Sequence, residues 1–152
     1  MGVPTIRSST LKHLLYRLAL PILVASAQVQ AGEIVVEQLI RSTASWDGQP
    51  LPVYAQGQPE ITILKFTIPA GAELDSHKHS VINAGVLLSG TLTVVSEDQE
   101  VLQLKAGDAL IELVDKWHHG RNDGKEPAII LVFYAGIKGQ EFTHAKPTAL
   151  AH

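Results

Sequence analysis

The chain has 152 residues, of which 45% are hydrophobic and 18% charged, enough apolar material to fill one core of ordinary size, so one domain is expected. Aromatic residues make up 5%, there is no long Lys/Arg run and the formal net charge is −3, which leaves base stacking and phosphate tracking without the residues they need and excludes nucleic acid as the expected partner. Cysteine is absent, which removes a disulfide framework, a thiolate metal site and a cysteine nucleophile, and leaves any chemistry to His, carboxylate and amide groups.

The charges are unevenly placed. Arg7, Lys12 and Arg17 precede the charge-free run LALPILVASA, from Leu18 to Ala27, and no Asp or Glu occurs before Glu33. A basic leader, an apolar stretch and small residues near Ala27 and Ala31 predict a cleavable secretory signal over residues 1–31, and hence a periplasmic or secreted protein. The run falls short of the roughly 20 apolar residues of a membrane-spanning helix, so no permanent span is expected and an uncleaved anchor is the runner-up reading. Without residues 1–31 the chain keeps 9 Lys and Arg against 15 Asp and Glu, a net charge of −6.

Residues 32–60 read as an N-terminal strand, EIVVEQLI from Glu33 to Ile40, followed by a Gly- and Pro-rich arm. From Ile61 the pattern is regular. ITILKFTI, VINAGVLL, TLTVVS, VLQL, ALIELV and AIILVFYA are short β-branched or alternating runs, separated by turn-forming stretches such as PAGAE and NDGKEP. Six such runs predict an all-β antiparallel sandwich or barrel over residues 61–136, and residues 137–152 read as a loosely held tail. No stretch after the leader has apolar residues at helical spacing over three turns.

DSHKHSVIN, residues 75–83, places two histidines one residue apart beside an asparagine. On a strand, His77 and His79 point to one face with backbones roughly 6.6 Å apart, so two imidazoles can share an ion while Lys78 points the other way. Taken alone, such a pair fits surface or packing histidines equally well. Its framing is more specific: Gly71 stands six positions before His77 and Gly90 seven after Asn83, and downstream come Gly107, His118 eleven positions later and Asn122 four after that.

These two blocks resemble the two motifs of the cupin superfamily. In the first, Gly71, His77, His79 and Gly90 match, with Asn83 where the family has glutamate; in the second, Gly107, His118 and Asn122 match, with Leu113 and Asp115 in place of its proline and glycine. The resemblance implies a jelly-roll (double-stranded β-helix) barrel holding one divalent metal ion (Zn, Fe, Mn, Ni or Cu) on His77, His79 and His118, with Asn83 at the fourth position. It implies action on a small oxygenated molecule, as a metal-dependent dioxygenase, isomerase or decarboxylase, or else capture of a small molecule or metal without turnover. His119 is expected at the rim, because alternation turns it from His118.

An asparagine in place of glutamate leaves three neutral imidazoles, so the ion keeps its double charge and acidifies bound water more strongly. Glu112, inside the apolar run LIELV, is the candidate proton acceptor, although alternation alone places it inside or outside equally well. Trp117 and Tyr134 are expected in packing rather than in the pocket, and His144 and His152 in solvent. Small barrels of this family pair through a sheet edge, and EIVVEQLI is an edge that pairing would cover, so a homodimer is expected.

Overall fold

In the computed structural model, residues 32–147 are described; the expected leader, with His13, and the terminal His152 lie outside them. Nine strands and no helix occur among the described residues: β1 Pro59–Ile68, β2 His77–His79, β3 Ile82–Ser89, β4 Thr91–Ser96, β5 Val101–Lys105, β6 Ala109–Ile111, β7 His118–Arg121, β8 Ala128–Ile137 and β9 Thr143–Ala145. They form two antiparallel sheets, ordered β1-β8-β3-β6 and β5-β4-β7-β2-β9. The six long runs read from the sequence correspond to β1, β3, β4, β5, β6 and β8.

Alternation sorts side chains between core and solvent. On β3, Asn83, Gly85 and Leu87 are buried while their neighbours are more open, and on β8 Ile130, Val132 and Tyr134 are buried while Phe133 is exposed. The core is closed from the other sheet by Leu92, Val94 and Leu104. Gly90, in the turn between β3 and β4, has φ +76°, and a Cβ there would stand 2.7 Å from the Pro127 carbonyl oxygen, so both the turn and the close approach of β8 exclude a side chain.

Three expectations are corrected. Residues 33–40 form no strand; Val36, Leu39 and Ile40 are exposed, because β-branched composition supplies propensity but no partner ladder. The run ALIELV is strand only through Ile111, after which the chain leaves the first sheet to reach the second. Within the tail, Thr143–Ala145 are held: β9 pairs with β2 through His77↔Ala145, Lys78↔His144 and His79↔Thr143, a ladder too short to leave a periodic apolar signature. Asp115, where the second motif has glycine, has φ +54°. It therefore meets the conformational demand of that position, which Asp tolerates better than most residues, while its N–H donates to the His79 carbonyl over 2.7 Å.

Asn122 joins the ends of three segments. Its Nδ2 donates to the carbonyls of Ile68 and Glu126 over 3.0 and 2.8 Å, and its Oδ1 accepts from the Gly124 N–H over 2.9 Å, with the side chain almost wholly buried. Asn122→Ala is expected to cost about 3 kcal/mol, since polar partners inside the fold lose their bonds. A urea titration of the metal-free protein with an unchanged midpoint would refute this bracing role.

Candidate metal centre

The pairing of β2 with β7 builds the site. His77 and His118 are directly opposite in register on these strands, and His79, two residues along β2, projects to the same face. The ring centroids of His77 and His118 are 4.6 Å apart, and each lies 5.0 Å from that of His79. One nitrogen from each ring falls within 4.8 Å of the other two, so the three could hold a single metal ion. His79 and His118 are buried, and half-buried His77 stands towards the mouth.

The second nitrogen of each ring is anchored. His77 Nδ1 donates to the Asp75 carbonyl over 2.7 Å and His118 Nδ1 to the Lys116 carbonyl over 2.9 Å. A carbonyl only accepts, so both rings carry the proton on Nδ1 and turn the Nε2 lone pair inward. His79 Nδ1 shares a 3.1 Å hydrogen bond with Thr143 Oγ1. Burial, reinforced by the neighbouring imidazoles, lowers the His79 pKa to about 3. His118 is lowered to about 4, again by burial first, with the Lys116 carbonyl opposing the shift. Both are thus neutral at pH 7, the state a metal ligand requires.

Glu112 faces inward. Its carboxyl is buried, Oε2 lies 3.5 Å from His118 Nε2, and neither atom has a hydrogen-bond partner among the described residues. An unpartnered buried carboxylate oxygen beside three convergent imidazoles, one of them with its Nε2 also unpartnered, is what a site for a cation looks like from the protein side, so the donor set fits a divalent ion. Burial raises the Glu112 pKa to about 7. The centre is therefore not free of carboxylate, as the asparagine at position 83 suggested. Continuing the β3–β6 register, in which Ala84 faces Ile111, sets Glu112 across from Asn83, and the Glu112 N–H donates to the Asn83 carbonyl over 3.1 Å. A carboxylate missing from β3 is thus offered from the neighbouring segment.

Asn83 itself is buried, with Nδ2 donating to the Val81 carbonyl over 3.2 Å and Oδ1 unpartnered, but it does not line the cavity that holds the histidines. His119 turns outward, its Nε2 3.3 Å from Glu73 Oε1. Trp117 also lies outside the cavity, beneath the Lys78 and Lys146 ammonium groups at 5.4 and 5.8 Å from its ring, whereas Tyr134 lines the cavity, against expectation. Half-buried His144 has Nδ1 3.5 Å from Glu141 Oε2. Thr143 escaped notice in the sequence because nothing in GQEFTHAKP marks it as a strand residue beside His79.

The pKa shifts set an acid limit for the metal-free protein. Between the native values near 3 to 4 and the unfolded value of 6.5, the unfolded state binds more protons at His79 and His118, so their contribution to stability is lost as pH falls below 6.5. Glu112 acts oppositely: raised above its ordinary value of 4.5, it stabilises most at low pH and loses its contribution as pH rises through about 7. Two histidines outweigh one carboxyl, so the denaturation midpoint of metal-free protein is expected to fall from pH 6.5 to 4.5. A flat profile would contradict neutral buried imidazoles.

Residues 64–134 match the family model described as Cupin domain. Among curated proteins no sequence matches. Similar solved structures include an uncharacterized conserved protein with a double-stranded β-helix domain from Klebsiella pneumoniae, 25% identical, aligned over 73% of this chain and 100% of that one with a TM-score of 0.48. A Bacillus halodurans protein is 17% identical over 57% of this chain and 67% of that one, TM-score 0.48. A predicted oxalate decarboxylase from Thermotoga maritima is 20% identical over 49% and 65%, TM-score 0.45. The matched stretch runs from β1 to β8 of the two-sheet all-β fold, so residues 64–134 carry a cupin domain.

Proposed function

We propose that this cupin is a metal-dependent enzyme acting on a small oxygenated molecule, with His77, His79 and His118 holding the ion and Glu112 moving a proton. The observation that carries this reading is the pair of unpartnered buried atoms, His118 Nε2 and Glu112 Oε2, 3.5 Å apart at the wall of a cavity. An ion held there would polarise an oxygen of the bound molecule. Glu112 stands beside that position with its carboxyl buried and Oε2 unpartnered, so it is the group placed to take a proton from the bound molecule and return it. The anchored imidazoles of His77 and His118 keep their Nε2 lone pairs on the cavity.

The test is reconstitution with each of Zn, Fe, Mn, Ni and Cu, followed by oxygen consumption and product analysis across diols, flavonols and keto acids. His118→Ala is expected to lose metal and turnover together. Glu112→Gln is expected to keep the ion and lose roughly 100-fold or more in kcat. Tight binding of a molecule without turnover under any metal would instead establish a binding protein.

The same proposal places the mature protein outside the cytoplasm, on the basic leader and charge-free run that open the chain. It also makes the protein a homodimer. Ile61, Ile63 and Phe133 are exposed on the outer face of the first sheet, where Ile63 and Phe133 are register partners on β1 and β8. A second copy would cover this face. Light scattering is expected to give twice the monomer mass, and Ile63→Lys with Phe133→Glu to give the monomer; a monomeric parent refutes the pairing.

A further inference from the structure

The cavity beside the histidines has a volume of about 320 Å³ and two chemically different ends. At one end stand the three imidazoles and Glu112. The other is walled by Phe66, Ile68, Leu92, Val94, Ile130 and Val132, contributed by both sheets. Among the described residues no Lys or Arg lines it, and the carboxylates that do are Glu112 and, at the exposed mouth, Asp75. The nearby cations are directed elsewhere: Lys78 lies 3.6 Å from Asp115 and over Trp117, Lys116 is bound to Asp47 and Asp98, and Arg121 to Asp123.

Resting on the reading of the site as a metal centre, we infer that its ligand is a molecule with one compact, chelating oxygen head and an apolar body, and that dicarboxylates and sugars are rejected. The head belongs among the imidazoles. The body replaces water against aliphatic and aromatic side chains, a transfer that is favourable in proportion to the apolar area removed from solvent. At roughly 30 Å³ for each displaced water, the volume admits a ligand of about ten non-hydrogen atoms.

A second carboxylate would meet no cation, and it would lie near Glu112 or Asp75 with its own hydration stripped away. The hydroxyls of a sugar fare no better. Besides the metal-binding end, the polar side chains on the wall are Asp75, Tyr134 and Thr143, and Thr143 is already engaged with His79. Most sugar hydroxyls would give up water for nothing.

Hydroxamates separate the head from the body, because acetohydroxamate and benzohydroxamate chelate identically and differ only in methyl against phenyl. Zinc serves as a redox-inert ion suited to imidazole. With zinc content first established by elemental analysis, calorimetric titration of the loaded protein is expected to give benzohydroxamate at least about tenfold tighter binding than acetohydroxamate. Oxalate and glucose are expected to bind more weakly than benzohydroxamate by at least the same factor. Equal affinity for the two hydroxamates, no binding of either to zinc-loaded protein, or oxalate or glucose binding as tightly as benzohydroxamate overturns the inference while leaving the metal centre standing. Protein that takes up no zinc, or that takes up as much after His118→Ala, brings down the metal reading and this inference with it.

Discussion

The site depends on a short ladder between two strands of three and four residues. Because β2 and β7 pair with His77 facing His118, imidazoles far apart in the chain arrive at the same depth of the barrel, and the two-residue period of β2 adds the third. A slip of β2 by one residue would send His77 and His79 to the outer face, where Lys78 now stands, and a slip of β7 would exchange His118 for His119. What prevents the slip is the burial of the rest of the sheet, above all Leu92 and Val94 on β4, which is paired with β7 from Thr93↔Arg121 to Ser96↔His118.

Around that ladder, charge rather than shape distinguishes this centre from the family pattern. Position 83 carries an amide, yet a carboxylate stands against His118 because Glu112 occupies the next segment across the sheet. The exchange changes what surrounds the carboxyl. Following β6, Glu112 is enclosed by the core and has no partner for Oε2, and desolvation holds its proton up to about pH 7.

Much of this was legible before any fold was in view. Long alternating runs such as TLTVVS and AIILVFYA announce themselves, since half their residues must be buried. The histidine spacings, with their framing glycines, identified the three imidazoles that converge. What stayed hidden follows from the limits of local pattern. HHGR and THA are too short for periodicity, and their pairing is decided by partners distant in sequence. EIVVEQLI has the composition of a strand and no ladder to join. Glu112 sits in an alternating run that reads identically with either face inward, and only the register against β3 resolves it. Asp115 looked like a departure from the motif, but backbone conformation rather than residue identity is what that position demands.

The last strand gives the centre an unequal footing. Thr143 Oγ1 steadies His79 from β9, which lies at the sheet edge and is tied to β2 alone. His118 is steadied from within its own connection by the Lys116 carbonyl. Edge ladders of three residues open at much lower free energy than interior ones. An opening there would part Thr143 Oγ1 from His79 Nδ1, while the backbone anchors of His77 and His118 on Asp75 and Lys116 would stay in place.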